Sequence, residues 1–398
     1  MLLTKTFKYR IYPTKEQQIL LAKHFGAKRF VYNHFLNERK TLYLSNKTTL
    51  NYYDNAKTLT SLKKEENYTW MKEINSQTLQ ASLRDLDVAY NKFFHKQSKF
   101  PRFKSKHDKQ SFRIPQFVVY KTGKLWIPKF KEHIEVKEDR PLTGKILFAT
   151  ISKRPSGKYY VAITVETEHI PYPTTDKKIG IDLGVKDFVI CSDGKVHPNI
   201  KTTKKYEKRL TYDQRQLSKK VKGSKNRGKQ QVRVAKVHER IFNIRHDYLH
   251  QISSQIVREN QTICVESLTV KNMMKNHCLA KAIADVAWGE FIRQLKYKSE
   301  WNGRNLVQIN RFFPSSKMCN KCKHINQNLT LDDRVWTCSK CECEVDRDVN
   351  AAINILEQGL MIYSGSGIES ELKQKREEAS ISKLESMSHE TQSSLAVG

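Results

Sequence analysis

Three acidic residues stand where apolar sequence would otherwise run unbroken. Ile179-Gly180-Ile181-Asp182-Leu183-Gly184 places a carboxylate in a strand built for burial, and Ile263-Cys264-Val265-Glu266-Ser267-Leu268 does the same with a glutamate. Asp346-Arg347-Asp348-Val349-Asn350-Ala351-Ala352 opens a helical run, with Asp348 in its first turn. Each alone reads as an edge-strand acid or a helix cap. Together, three carboxylates converging from two central strands and a helix make an oxygen-rich site for hard divalent cations. Two Mg²⁺ held ~3.5–4 Å apart can activate a water and stabilise the leaving oxygen of a phosphodiester.

A second constellation is built from sulfur. Cys319-x2-Cys322, then fifteen residues, then Cys338-x2-Cys341 gives two knuckles that can present paired thiolates to one tetrahedral Zn²⁺. Four protein ligands leave no open position, so the metal is structural. Cys343 could replace Cys341, although the x2 spacing favours Cys341. Cys191, Cys264 and Cys278 fall in strand or helix patterns and are expected to be buried, inert thiols. Five of eight cysteines crowding between Cys319 and Cys343 in a 398-residue chain point to metal binding in a reducing compartment rather than to disulfides.

Gly180-Ile181-Asp182-Leu183-Gly184 also suits the first phosphate loop of actin-like ATPases and sugar kinases. That chemistry needs a second glycine-rich loop, and the chain's 15 glycines include no paired-glycine motif.

The surroundings of these acids are strongly basic. Lys+Arg number 72 against 41 Asp+Glu, a formal charge of +31, which calls for a polyanionic partner. Residues 201–240 hold fifteen Lys/Arg and three acids, Glu207, Asp213 and Glu239, and so contribute +12 of that excess. Lys219, Lys220 and Lys222 lie at its centre. Lys99-Phe100-Pro101-Arg102-Phe103-Lys104-Ser105-Lys106 interleaves cations with aromatics, which suits it to holding a phosphate backbone while stacking on bases. Basic sequence brings nucleic acid, and the acids recruit the metal. No run of ~18 apolar residues or signal-peptide core is present, so a soluble, intracellular protein is expected.

The elements that must position these groups follow from periodicity. Thr4 to Tyr12 alternates as a half-buried strand ended by Pro13 and Thr14. Residues 15–94 turn helical, with Leu79, Leu83, Leu86, Tyr90 and Phe93 on one stripe and Gln77, Gln80, Arg84 and Asn91 opposite. Short alternating runs from 111 to 170 predict a small barrel completed by the first strand, with the helices as an insertion. After a Pro-rich linker at 171–176, strands and helices mix: a strand, a hairpin at Asp193-Gly194, a long helical region, a strand near 262–267, a helix near 279–301, a strand near 305–312 and a helix from about 349. The tail beyond Gly365 is rich in Ser, Glu and Lys and is expected to be disordered.

The ordered set of acidic motifs with an interrupting four-cysteine ribbon resembles the TnpB family of transposon-encoded RNA-guided DNA endonucleases, which are related to type V CRISPR effectors. Tyr9-Arg10-Ile11-Tyr12-Pro13-Thr14, Arg29-Phe30-Val31-Tyr32-Asn33 and Phe100-Pro101-Arg102-Phe103-Lys104-Ser105-Lys106 resemble that family's N-terminal half. The resemblance implies an α/β multidomain fold. A β-barrel wedge domain (1–14 and 96–172) would carry an inserted helical recognition domain (15–95). An RNase H-like (RuvC) α/β domain (177–312 and 345–365) would follow, interrupted by a zinc ribbon (313–344).

The resemblance further implies that Asp182, Glu266 and Asp348 are the catalytic acids binding two Mg²⁺, with Asp348 favoured over Asp346, and that Cys319, Cys322, Cys338 and Cys341 hold one Zn²⁺. Ser76, Gln77 and Gln80 would read a short adjacent motif on duplex DNA, and Arg102, Lys104, Lys106, Lys219, Lys220 and Lys222 would contact nucleic-acid backbone. The partners implied are a guide RNA from the transposon end and a double-stranded target, in a ribonucleoprotein that one protein copy could form, on nucleoid DNA in a prokaryotic cytoplasm. Other readings are a guide-directed repressor that does not cut and a transposase-type protein acting without RNA.

Overall fold

In the computed structural model, residues 1–330 and 332–365 are described. The expectation for the tail beyond Gly365 lies outside them. The described residues divide into two compact units, residues 1–169 with 213–237, and residues 170–212 with 238–365.

In the first unit the alternating opening becomes β1 (Leu2–Tyr12), and Thr14 ends it by starting a helix. The Thr14 side chain accepts from the Gln17 backbone N–H, while the Gln17 side chain accepts from the Thr14 N–H. This reciprocal box satisfies two otherwise orphaned donors. Helix α1 (Lys15–Asn46) then runs until Lys47 takes a left-handed cap. Helices α2 (Tyr52–Leu62) and α3 (Ser76–Phe94) complete the insertion, with a 3-10 turn at Glu66–Glu73 between them. The apolar stripe of α3 buries Leu79, Leu83 and Leu86 completely against Val31 and Phe35 of α1 and their neighbours.

Six strands follow: β2 (Gln110–Ile114), β3 (Val119–Lys121), β4 (Lys124–Trp126), β5 (Ile134–Lys137), β6 (Lys145–Lys153) and β7 (Tyr159–Glu168). With β1 they form an antiparallel sheet ordered β2-β6-β7-β1-β5-β4-β3. The N-terminal strand is central, pairing β7 from Leu2↔Glu168 to Ile11↔Tyr159 on one side and β5 on the other. Residues from both ends of the sheet, Phe112 and Leu125 among them, share one core with Tyr9 and Ile163, so the sheet curls around it. The edges β2 and β3 make no ladder with each other among the described residues. The closed barrel expected from the sequence is therefore a curled sheet. Pro115, which cannot donate, and Phe117 at φ 62° interrupt the chain between those edges.

The second unit is built on a five-stranded sheet ordered β10-β9-β8-β11-β12, from β8 (Lys178–Asp182), β9 (Asp187–Cys191), β10 (Val196–Pro198), β11 (Thr262–Glu266) and β12 (Asn305–Ile309). Strands β8, β9 and β10 are antiparallel neighbours, whereas β11 runs parallel to both β8 and β12. Gly194, at φ 83°, closes the β9–β10 hairpin. Between β10 and β11 the chain forms α4 (Thr202–Ser218) and α5 (Lys225–Glu259), whose facing ends belong to the first unit.

Helices α6 (Val270–Met273), α7 (His277–Val286) and α8 (Trp288–Trp301) precede β12. The single helix expected near 279–301 is two, because Ala287 adopts φ 58° and ends α7. The strand expected to reach 312 stops at Ile309, where the Asn310 side chain accepts from the Phe312 N–H and turns the chain. A two-stranded ribbon follows, β13 (Val335–Thr337) against β14 (Glu344–Asp346), and then α9 (Arg347–Gly365). No helix among the described residues is long and apolar enough to cross a membrane.

Candidate active site

Asp182 and Glu266 are the last residues of β8 and β11, two neighbouring parallel strands, so both leave the same edge of the sheet. Asp182 is thus at a strand end rather than within it. The third acid arrives on α9, whose approach is set by two glycines. A Cβ on Gly180 would lie 2.0 Å from the Ala352 carbonyl oxygen, and one on Gly359 would lie 2.4 Å from Cys264 Sγ. Only hydrogens at these positions let the helix backbone lie on the sheet, with Ala351 and Ala352 buried beneath it.

That seating puts the second residue of α9, Asp348, in the field of Asp182. Burial raises the Asp182 carboxyl, and the charges of Glu266 and then Asp348 raise it further, against lesser help from the Leu183 amide and Arg347; the result is about 7. Burial likewise raises Glu266, partly offset by the Ser315 hydroxyl, which donates to Glu266 Oε1 at 2.5 Å. Asp348 Oδ2 accepts from Arg334 Nη1 at 3.0 Å. The three carboxylates share an electrostatic site without their oxygens being drawn into a group within 4.8 Å, which among the described residues only cysteines achieve. Their donor set, oxygen only and mutually repelling, fits hard divalent cations.

The choice between Asp346 and Asp348 is one of geometry. Asp346 Oδ1 accepts from the backbone N–H of Asp348 at 3.0 Å and of Val349 at 2.9 Å. Through that one oxygen it caps α9. Asn350 and Asn354, both buried, tie α9 to the preceding loop through the Met318 carbonyl, at 2.8 and 2.6 Å, and Asn354 also reaches the Ser315 carbonyl. Ser315, Arg334, Asn350 and Asn354 were not singled out from the sequence. Of these, only Asn350 fell within a motif, the Asn350-Ala351-Ala352 stretch.

The loop so anchored carries the sulfur group. Cys319, Cys322, Cys338 and Cys341 place their Sγ atoms within 4.8 Å of one another. Two backbone turns form the knuckles: the Cys319 N–H donates to the His324 carbonyl, and the Cys338 N–H to that of Cys343. Burial raises the Cys319 thiol, but the amides of Cys322 and Lys321 and the neighbouring thiols outweigh it and bring it to about 6. A thiol so lowered is ready to ligate. Cys343 Sγ lies 3.1 Å from Cys341 and 3.5 Å from Cys319 but outside the four-way group. A core of Leu329, Trp336 and Val345 is too small to hold this ribbon by itself.

The other free cysteines divide. Cys191 and Cys264 are buried, and burial pushes both thiols up to about 12. Cys278 corrects the expectation of burial: it is exposed in the first turn of α7, its Sγ 3.2 Å from His277 Nδ1.

The remaining predicted contacts lie in the first unit. Ser76 and Gln80 are exposed on the opening turns of α3, while Gln77 is half-buried and donates to Gln116 Oε1 at 2.9 Å. Arg102, Lys104 and Lys106 are exposed on one loop. Lys219, Lys220 and Lys222 are exposed at the turn between α4 and α5, which Arg227 pins by donating to the Leu217 and Lys220 carbonyls. Asp213, counted among the acids of that basic stretch, is buried and accepts from Gln230.

Residues 161–277 match the family described as "Probable transposase", residues 288–355 match "Cas12f1-like, TNB domain", and residues 1–48 match "Helix-turn-helix domain", although those 48 residues form one strand and one long helix. A Streptomyces pristinaespiralis protein named "Putative RNA-guided DNA endonuclease" is 40% identical over 379 residues, covering 94% of each chain. "Putative RNA-guided DNA endonuclease InsQ" of Escherichia coli (strain K12) is 32% identical over 89% of this chain and 92% of its own. "TnpB-like protein L770" of Acanthamoeba polyphaga mimivirus is 24% identical over 89% of this chain and 73% of its own.

Proposed function

The chain belongs to the TnpB family, and from that premise we propose that it is an RNA-guided, Mg²⁺-dependent DNA endonuclease that cuts both strands of a target with one site. The observation that carries the reading is the shared field of Asp182, Glu266 and Asp348 at one edge of a mixed sheet. Three parallel strands, β8, β11 and β12, continued by an antiparallel hairpin are the arrangement expected of an RNase H-like (RuvC) domain, which supports it. Asp182, Glu266 and Asp348 would hold two Mg²⁺, whose chemistry when bound is to activate a water and stabilise the leaving oxygen. The chain's own contribution is positional. Gly180 and Gly359 seat α9, Asp346 fixes its first turn, and Ser315 and Arg334 orient two of the carboxylates.

The remaining parts take supporting roles. Cys319, Cys322, Cys338 and Cys341 would hold one structural Zn²⁺ that fixes the loop carrying Ser315 and Arg334. The curled sheet and its helical insertion would act as wedge and recognition domains. They would grip a guide RNA from the transposon end, with Ser76, Gln77 and Gln80 reading a short motif beside the target. Pairing with the guide would select sequence, while the protein reads backbone shape and that motif. Such a particle works on nucleoid DNA in a prokaryotic cytoplasm.

The test is a cleavage assay on the purified ribonucleoprotein, with its RNA sequenced to define a matched target. Products on both strands that need Mg²⁺ are expected. Asp182→Ala should abolish them while target binding persists. Binding without products from the unaltered protein would make it a repressor, and a preparation active on transposon ends without RNA would make it a transposase-type protein.

A further inference from the structure

The first unit contains a cleft of about 700 Å³ between α1, α3 and the loop that precedes β2. Its lining includes Lys28, Arg29, Tyr32, Arg102, Phe103 and Lys109. The volume lies within the ~300–1,000 Å³ of small-ligand pockets and has room for a nucleotide.

The loop is held in place before any ligand arrives. Asn33 of α1 clamps the Lys104 backbone from both sides, donating to its carbonyl at 2.9 Å and accepting from its N–H at 2.7 Å. Asp108 accepts from the Ser105 N–H at 2.7 Å, and Gln110 donates to the Lys106 and Asp108 carbonyls. Both acids of the lining are therefore engaged, Asp108 in this turn and Asp85 in an ion pair with Lys28 at 2.8 Å. Lys104 lies over the Tyr32 ring at 5.0 Å, which occupies the face of that buried aromatic.

What remains uncommitted is specific. Arg102 and Lys109 have no ion pair or hydrogen bond from their side chains among the described residues, and the Phe103 ring, 52% exposed, has no aromatic or cationic partner. An apolar ring held in water beside two free cations, on a braced loop, lacks the ligand it would serve.

We propose that this cleft takes one unpaired nucleotide of a nucleic-acid strand, with its base stacked on Phe103 and its phosphodiester held by Arg102 and Lys109. It deepens the nucleic-acid reading above and rests on it for the class of ligand alone. The interior of a duplex cannot place a base there, because each of its bases is already stacked on both faces; the cleft takes a base with an open face, at a bulge, a loop, a strand end or a single-stranded position.

Photo-crosslinking of the full-length chain tests this. The probes are short oligonucleotides carrying 5-iodouridine or 5-iododeoxyuridine, and the attached residue is mapped by mass spectrometry. Attachment at Phe103 is expected, and whether the ribose probe, the deoxyribose probe or both attach there assigns the strand. By fluorescence anisotropy, Phe103→Ala should weaken binding on the order of 10-fold, because base–aromatic stacking is lost, whereas Phe103→Tyr should retain it. Arg102→Ala and Lys109→Ala should each lower the slope of log affinity against log salt by about 0.7. Crosslinks confined to other residues, or unchanged affinity in folded Phe103→Ala, would overturn the proposal. The probes are neither paired to a guide nor cut, so that failure leaves the nuclease reading standing. An inactive nuclease that still crosslinks at Phe103 leaves the cleft standing.

Discussion

Arg334, at the edge of the ribbon, donates to Asp348 at 3.0 Å, so the helix acid is met by a cation from the segment between β12 and α9. Arg347 strengthens the link, since its N–H donates to the Arg334 carbonyl and its guanidinium to that of Thr330. The ribbon is therefore part of the acidic site's electrostatics.

Arg334 should compete with divalent cations for Asp348. In Arg334→Ala the carboxylate loses its counter-charge, and half-saturation by Mn²⁺, followed by electron paramagnetic resonance, should fall several-fold. The stability change should stay within about 1 kcal/mol, because the pair is partly solvated. Unchanged Mn²⁺ affinity would show that Asp348 takes no part in cation binding.

The closeness of α9 to β8 predicts an unusual cost for a small substitution. Gly180→Ala must displace the Ala352 backbone, 2.0 Å from the new methyl, and no side-chain rotation relieves a clash with a carbonyl oxygen. Overpacking of this kind costs about 3 kcal/mol or more against a rigid neighbour. The melting temperature of the second unit should drop, and Mn²⁺ affinity should fall with it as Asp348 moves from Asp182. Gly194→Ala, where nothing lies within 4 Å, is the control for a glycine needed only for its positive φ.

The sulfur group makes a prediction that separates two neighbours. Cys341→Ser should abolish stoichiometric zinc, measured by atomic absorption, whereas Cys343→Ser should keep it, because only Cys341 joins Cys319, Cys322 and Cys338 within 4.8 Å. Chelation should release one equivalent and, since such ribbons fold with their metal, should loosen Ser315 and Arg334 as well. Retention of zinc in Cys341→Ser with loss in Cys343→Ser would reverse the assignment.

The acids and the cysteines could be singled out because their signals are local: an acid breaking an apolar run and a pair of cysteines two residues apart need no tertiary information. Gly180 stood within the same motif as Asp182, but its partner could not be read there, since the Ala352 carbonyl lies 172 residues away in sequence. Arg334 and Ser315 gave no sign, because a lone arginine or serine in a loop looks like any solvated residue until the fold sets it against a carboxylate. Curling against closure of the first sheet also escaped, since alternation fixes which face is buried and not whether two edges meet. Ala287 misled for a related reason: the apolar period continues across 279–301 while the backbone breaks.

A polar cluster away from these sites carries a prediction about pH. Lys298, buried on α8, donates to Ser253 and Ser254 at 2.7 Å and to the His250 carbonyl at 3.0 Å, and burial lowers it to about 8. His250 on α5 packs edge-on to His246 at 4.4 Å. Burial, then the charges of Lys298 and His246, lower it to about 4, while Glu290 pulls the other way and Arg293 adds to the lowering. An unfolded histidine titrates near 6.5. Between about 6.5 and 4 the unfolded chain binds a proton that the folded chain does not, so stability falls as pH falls through that window. His250→Phe keeps the ring and the backbone carbonyl but removes the titration. Its melting temperature should change less than that of the parent between pH 6.5 and 4.5. Equal slopes over that range, measured by thermal melts at constant ionic strength, would place the acid sensitivity elsewhere.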